Sequence, residues 1–461
     1  MPGKSITALS DGLIAGGVEF FSNFPGFFSH DIFKALGGDQ ISINERVAFE
    51  TAYGASLAGR RSVVTMKNVG LNTCADPFLH SVISGINAGL VIIVTDDIDV
   101  VASQERQDSR HYFNFFGGLW FEPSSTQSAY DISRKAFYYS EKYDVPVVIR
   151  LTNNYFRIND EYKLSENYST NSHTIQKNPE KYVIYPTYWE KQHTNLLIKQ
   201  SEIALFVEEF SDDAVQTSSQ QNDRLLVVVG SCDEQQILEK YPGWDILRIE
   251  TYPIPEKRVL TLMGGKKEVC VIEHGDKYVR NKINMLKGYS LQSIVFSDNL
   301  LNKKTQQSKW VIWSHLEKLF QSIKNLDPEY VVGDVGQYTV ESTSTIMSCL
   351  CLGSSIGVTL GLSMNGVKFP ICVVGDTSIL HSCTQALTEA VARKAIFGVI
   401  IIDNDGSAAT GGQKTIADIY EINKDIKQRT IKLESLTEAQ LNKILVEMRR
   451  ENSLSLLYVK I

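Results

Sequence analysis

Ile371-Cys372-Val373-Val374-Gly375-Asp376-Thr377-Ser378 and Phe397-Gly398-Val399-Ile400-Ile401-Ile402-Asp403-Asn404-Asp405-Gly406 are two apolar runs that each end in small and polar residues. Such runs read as buried parallel strands, and the stretch between them, through Lys394, as the crossover helix. Asp376 and Asn404 are 28 residues apart, about the length of one strand, its crossover and the next strand. Both side chains are therefore expected at the carboxyl edge of one sheet, where α/β folds bind ligands. A carboxylate, an amide oxygen and a backbone carbonyl in the turn at Gly406 are hard donors, suited to Mg²⁺ or Ca²⁺ rather than zinc. The helix that starts near Thr377 and Ser378 offers free N–H groups and a positive dipole end to phosphate oxygens. Strands also end in such residues for ordinary turn chemistry, so the pair gains its weight from the rest of the chain.

Working outward, Tyr330–Val332 and Leu454–Val459 supply further strands to the same layer. Ahead of it, Leu225–Gly230, Asp245–Glu250 and Val269–Glu273 form a second, smaller set, preceded by a helix near Tyr188–Phe210. Ser62–Met66, Leu90–Thr95 and Val145–Arg150 form a first set, with helices over Glu45–Leu57 and Ala129–Tyr143. Polar stretches at 159–176 and 302–308 read as connections. The expectation is an α/β fold of three doubly wound parallel-sheet domains in series, at residues 1–158, 159–301 and 302–461.

Size and charge agree. The 461 residues suffice for about three domains at roughly 150 residues each. Apolar residues at 43% and charged residues at 21% are ordinary for a folded, water-soluble chain. A net charge of −7 is the wrong sign for neutralising a phosphate backbone, so nucleic acid is not an expected partner. No apolar leader and no run of membrane-spanning length is present, which makes a cytoplasmic location the expectation. The seven cysteines are scattered, mostly within apolar runs, and no Cys-x-x-Cys occurs. No iron-sulfur cluster is expected on this chain.

Gly375-Asp376 with Asn404 at this spacing resembles the diphosphate motif of thiamine-diphosphate enzymes. Cys351-Leu352-Gly353 through Gly357 and Gly361 is similar to the segment that places one bulky apolar residue, here Leu352, beneath that cofactor. Asn44-Glu45-Arg46-Val47-Ala48, with Gly54 nine residues after Glu45, is similar to the segment whose glutamate hydrogen-bonds the aminopyrimidine ring; Glu50, one turn later, is the rival candidate, and Glu45 is preferred because Glu50 misses that register. The resemblance implies a pyrimidine domain, a middle transketolase C-terminal-like domain and a diphosphate domain. It also implies cofactor contacts at Pro25, Gly26, Glu45, Leu352, Gly353, Gly375, Asp376, Thr377, Ser378, Asn404, Gly406 and Ser407, with Mg²⁺ on Asp376, Asn404 and Gly406.

A wider match specifies the branch. Asn44–Arg61, Val64–Asn72 with Ala75-Asp76-Pro77, Ser103-Gln104, Gln107–Arg110, Tyr252–Lys257, Gly333–Thr339, and Gly375–Thr377 with His381-Ser382 resemble the α subunit of indolepyruvate ferredoxin oxidoreductase. That subunit carries a Cys-rich ferredoxin-like tail and a Cys-Pro-Gly-Cys segment. Here the chain reaches Ile461 and has Trp310-Val311-Ile312-Trp313, so both electron relays are expected to be missing. Gln337, Asn68 and Gly412 stand where Cys, His and His are expected, and Phe27-Phe28 replace small polar residues.

The resemblance implies that Glu45 protonates the pyrimidine ring and that a 2-oxo acid loses CO₂ to leave an enamine. Intramolecular proton transfer in such a geometry is worth up to about 7–11 kcal/mol. Without an electron relay, the expected outcome is aldehyde release or acyloin carboligation. The alternatives are an oxidoreductase α subunit using clusters on a redox partner, and a non-catalytic homologue. Lys67 is the candidate for the substrate carboxylate. His381 leads His111 and His30 as proton carrier, and Phe27 and Phe28 are candidates for an apolar space. The aromatics between Asp108 and Trp120 belong to a loop that is either pocket or packing. In such relatives two subunits complete each site, which implies a homodimer.

Overall fold

The computed structural model describes residues 3–166, 173–211, 215–216, 222–288, 314–339, 344–407, 413–415, 419–422 and 426–461. The 302–308 connection, Trp310–Trp313 and Gly412 lie outside the described residues.

Three sheets follow one another along the chain. The first holds β1 (Phe20–Asn23), β2 (Ser62–Lys67), β3 (Leu90–Asp96), β4 (Leu119–Phe121) and β5 (Val147–Thr152). The second holds β6 (Val215–Gln216), β7 (Arg224–Val229), β8 (Asp245–Ile249) and β10 (Glu268–Ile272); β9 (Thr251–Tyr252) leaves it to join the first. The third holds β11 (Val331–Gly333), β12 (Ile371–Gly375), β13 (Gly398–Asp403), β14 (Gln428–Lys432) and β15 (Ser455–Lys460). Their orders are β1-β2-β3-β5-β4-β9, β10-β7-β8-β6 and β11-β12-β13-β15-β14.

The apolar runs are strands because both their faces are covered. β3 and β5 are buried along their whole length, the state in which parallel strands need no polar alternation. The parallel expectation holds for the central strands; two edges depart from it. β9 runs antiparallel to β4, and β6 antiparallel to β8, which short edge segments can do without a crossover.

Two local readings change. The Asp108–Trp120 stretch is not a free loop: it contains a helix, Arg110–Phe116, and enters β4 at Leu119. Trp120 is fully buried, and Phe116 packs on Tyr112 and Phe78, so Trp120 and Phe116 belong to the core, whereas Tyr112 and Phe113 are half-buried and Phe115 is exposed. The crossover after β12 is not one helix either. It starts at Asp376, passes through a π-helical turn at Ile379–Cys383, and continues as Thr384–Ala392. π turns inside helices commonly mark functional sites, because the extra residue redirects side chains.

The first and third layers meet through the helices Glu45–Leu57 and Ser355–Met364. Their approach depends on three glycines. A Cβ on Gly54 would lie 2.2 Å from the Val358 carbonyl oxygen, one on Gly361 would lie 2.1 Å from that of Thr51, and one on Gly357 would lie 2.2 Å from Glu50 Oε2. Backbone oxygens cannot swing aside, so Gly361→Ala is expected to cost about 1–3 kcal/mol as overpacking. A urea midpoint equal to that of the unsubstituted chain would show the crossing to be loose.

Candidate functional site

The third sheet builds one cluster. β12 and β13 pair with Gly375 opposite Ile402, so Asp376 leaves the sheet beside Asp403 and Asn404. Asp376 is buried. Its Oδ2 accepts the Gly406 amide at 2.9 Å and its Oδ1 the Thr377 amide at 2.5 Å. Burial raises its pKa, the Gly406 and Thr377 amides oppose that, and nearby Asp403 adds to it. Ser378 is buried behind it, and Thr377 and Asn404 are half-buried. Gly406 adopts φ +150°, and a Cβ there would lie 2.4 Å from the Gln413 carbonyl oxygen, so a side chain does not fit. Ser407 forms an antiparallel bridge with Gln413.

Leu352 and Gly353 lie beside this cluster, held by groups that the motif reading left without roles. Asp334, fully buried, accepts the Gly353 amide at 2.8 Å and the Ser355 amide at 3.1 Å. It thereby fixes the loop and caps the helix that follows. Burial pushes the Asp334 carboxyl up, against these amides. Tyr338 Oη accepts the Gly375 amide at 2.8 Å. Both come from Gly333–Thr339, so the signal was present in that quoted stretch without showing what it positions. Gly353 has φ +77°, and a Cβ there would collide with Ser382 Oγ and lie 3.2 Å from His381 Nδ1. His381 is exposed, and its Nδ1 lies 2.9 Å from Ser382 Oγ.

The first sheet builds the other cluster. Asn44 caps the Glu45 helix, its side chain accepting the Val47 amide at 2.8 Å. Glu45 is half-buried and lies over Gly70, where a Cβ would come within 2.5 Å of Glu45 Cγ. Burial raises the Glu45 pKa, with a backbone hydrogen bond opposing. Pro25 is exposed, and Gly26 packs on Lys67, whose Cβ would lie 2.8 Å from a Cβ on Gly26. Lys67 Nζ donates to the Ala102 carbonyl at 3.2 Å. Phe28 sits at φ 52°, a strained backbone for a bulky residue. Its ring stacks on Phe156 at 4.2 Å, and Phe27 meets both edge-on. Phe156 lies too far along the chain for sequence proximity to pair it with them.

The other two histidines are engaged elsewhere: His30 with Asn23 at 3.2 Å, and His111 with Asp276 at 2.9 Å. Among the described residues no hydrogen bond joins Glu45 to Asp376, Asn404 or Gly406. Arg46 joins the halves, its Nη2 donating to the Leu352 carbonyl at 2.7 Å and its Nε to Glu50 Oε1 at 2.7 Å, and the Ile43 amide adds a second tie by donating to Glu389 at 2.9 Å.

Glu50 is thus a packed residue of the seam. It is 1% exposed, and burial raises its carboxyl from the ordinary 4.5 to about 8, with Arg46 pulling the other way. The folded chain keeps this proton up to about pH 8, whereas the unfolded chain releases it near 4.5. The group's contribution is therefore complete below 4.5 and falls as pH rises toward 8, by an amount on the order of a few kcal/mol. Glu50→Gln, which cannot ionise, is expected to flatten the loss of thermal stability between pH 5 and pH 8. Parallel melting-temperature profiles for the two proteins would contradict this.

Comparison with known proteins adds an independent view. Residues 334–447 match the model of the thiamine pyrophosphate enzyme C-terminal TPP-binding domain. The chain is 26% identical to the indolepyruvate oxidoreductase subunit IorA of Methanothermobacter thermautotrophicus, covering 87% of this chain and 74% of that one. It is 27% identical to IorA of Pyrococcus horikoshii, covering 89% and 76%. In structure it superposes on benzoylformate decarboxylase from Polynucleobacter necessarius with a TM-score of 0.54 at 12% identity, covering 100% of this chain and 99% of that one. It also superposes on the thiamine diphosphate-dependent 4-hydroxybenzoylformate decarboxylase of Rhodococcus jostii RHA1 with a TM-score of 0.55 at 13% identity, covering 99% and 98%. Those two likenesses show the fold alone. Geometry, fold and sequence thus converge: this chain has the architecture of thiamine pyrophosphate enzymes and resembles, over most of its length, the IorA subunit of indolepyruvate oxidoreductase.

Proposed function

We propose that this chain is a thiamine-diphosphate- and Mg²⁺-dependent enzyme that decarboxylates a 2-oxo acid and ends in non-oxidative aldehyde release or acyloin formation. The observation that carries the reading is the cluster at the carboxyl edge of the third sheet, where Asp376, Asn404 and Gly406 converge. Its donor set is all hard oxygen, the kind that Mg²⁺ selects, and Asp376 is buried, so a dication there would offset its charge. These residues fit a Mg²⁺-bridged diphosphate.

In this reading Asp376, Asn404 and the Gly406 carbonyl hold Mg²⁺. Gly375, Thr377, Ser378 and Ser407 line the phosphates, and Leu352 and Gly353 support the rings, with Pro25 and Gly26 on the opposite side. Bound thiamine diphosphate supplies a carbon nucleophile for the ketone and an electron sink for the loss of CO₂. The chain's own groups do the rest. Glu45, whose pKa burial raises, is the carboxyl that shares a proton with a ring nitrogen. Lys67 Nζ, on the rim of the first sheet, neutralises the substrate carboxylate, and Phe27, Phe28 and Phe156 keep water from the space beside it. His381, exposed next to Gly353, carries protons to and from solvent. A second copy of the chain completes each site.

The non-oxidative ending rests on the cysteines: they are dispersed, and Cys74, Cys349, Cys351, Cys372 and Cys383 are buried. The similarity to IorA favours a second reading, an oxidoreductase subunit that passes electrons to clusters on a partner. Incubation of the purified chain with thiamine diphosphate, Mg²⁺ and a panel of 2-oxo acids separates the two. CO₂ with aldehyde or acyloin, and no electron acceptor, supports the first. CO₂ only when an acceptor or partner is added supports the second. No CO₂ in either case defeats both.

A further inference from the structure

Three metal-binding side chains converge where the first layer meets the third, outside the cluster assigned above. Asp76 and His80 lie one turn apart on helix Gly70–Ser84, a spacing that puts them on one face. Cys351 reaches them from the segment that precedes Leu352. One ligand atom from each of the three lies within 4.8 Å of the others, and Asp76 Oδ1 is 3.1 Å from His80 Nδ1.

We propose that Asp76, His80 and Cys351 form a binding site for one divalent cation of the zinc class, with solvent in the fourth position, which staples the first layer to the third beside Leu352. A thiolate, an imidazole and a carboxylate are the donor mixture that zinc and its borderline neighbours select, unlike the all-oxygen set at Asp376. Around such an ion the bond lengths place ligand atoms roughly 3–4 Å apart, so small side-chain rotations close the observed triangle. Exposure is graded: Cys351 is 2% exposed, the His80 side chain 26% and that of Asp76 45%. The sulfur is the inner end and the carboxylate faces the solvent from which an ion arrives.

Arg46 Nη2 lies 3.5 Å from Cys351 Sγ and donates toward it, the kind of outer contact that orients and tunes a ligand. Binding exchanges the thiol proton for the cation, and that proton passes to solvent. The thiolate and the Asp76 carboxylate then balance the dication. Because Arg46 also holds the Leu352 carbonyl, the ion locks the segment that carries Leu352.

Cobalt(II) titration of the full chain in Mg²⁺-saturated buffer tests this. One equivalent is expected to produce the intense near-ultraviolet sulfur-to-cobalt absorption of a thiolate ligand, and Zn²⁺ is expected to displace it and raise the melting temperature. Cys351→Ser should abolish the absorption. His80→Ala, at a partly exposed position, should weaken binding at least as much as the roughly 10- to 100-fold lost with an outer-shell partner. Asp376→Asn should leave the absorption unchanged. The proposal is overturned if the unsubstituted chain shows no thiolate absorption, or if that absorption persists in Cys351→Ser or at full affinity in His80→Ala. None of these readouts depends on thiamine diphosphate or on turnover.

Discussion

Glu45→Gln is expected to lower CO₂ release from the best 2-oxo acid by about 10²- to 10⁴-fold, the usual worth of a positioned acid or base. Gln keeps the shape and the hydrogen-bonding oxygen but has no proton to give. The first helical turn, capped by Asn44 and seated over Gly70, has no need of the charge. Fold and thermal midpoint should therefore stay close to those of the unsubstituted chain, and the loss should fall on kcat with thiamine diphosphate still binding. A loss smaller than about tenfold would remove Glu45 from the chemistry and leave the register argument against Glu50 without support.

Arg150→Met is expected to destabilise the chain by about 3–5 kcal/mol, the cost of stripping one partner from buried ion pairs. Arg150 pairs with Asp96 at 2.7 Å, Glu122 at 2.6 Å and Asp108 at 3.3 Å, and every one of these side chains is at most 3% exposed. Arg110 extends the network from Asp108 to Glu273 of the middle layer. Burial alone would raise the Asp108 carboxyl, but Arg150 and Arg110 overcome it and hold it well below the usual carboxylate range. Its stabilisation is thus complete at neutral pH and fades only as pH falls toward that depressed value. In Arg150→Met, Asp96 and Glu122 lose their guanidinium while remaining buried. A denaturant midpoint like that of the unsubstituted chain would mean that these carboxyls take up protons at little cost.

The helix Glu45–Leu57 was legible to the residue because a capping Asn, a first-turn Glu and a continuous apolar face all agree there. The strands β2, β3, β12 and β13 were legible because long β-branched runs have no other use in this composition. β1 was not, since Phe20-Phe21-Ser22-Asn23 is short and half exposed at its start. β4 was missed because three residues carry no period. At the candidate site, Asp376 and Asn404 could be placed from spacing alone, as strand pairing converts sequence distance into adjacency. The support beneath them could not. Asp334 and Tyr338 act across separations of 19 and 37 residues, and no local pattern states that a carboxylate will cap a loop or a phenol will meet an amide. The Asp96–Asp108–Arg110–Arg150 network was hidden for the same reason: Asp and Arg in a sequence read as surface until burial is known.

The two residues of β9 have a mechanical consequence. Thr251 and Tyr252 come from the middle layer but close the outer edge of the first sheet against Trp120 and Phe121. Removing the middle layer would strip β4 of its outer neighbour, leaving it paired to β5 alone with a bare edge open to foreign strands, a recipe for aggregation. Stitched in this way, and with Arg110 paired to Glu273, the leading two layers share one continuous sheet edge.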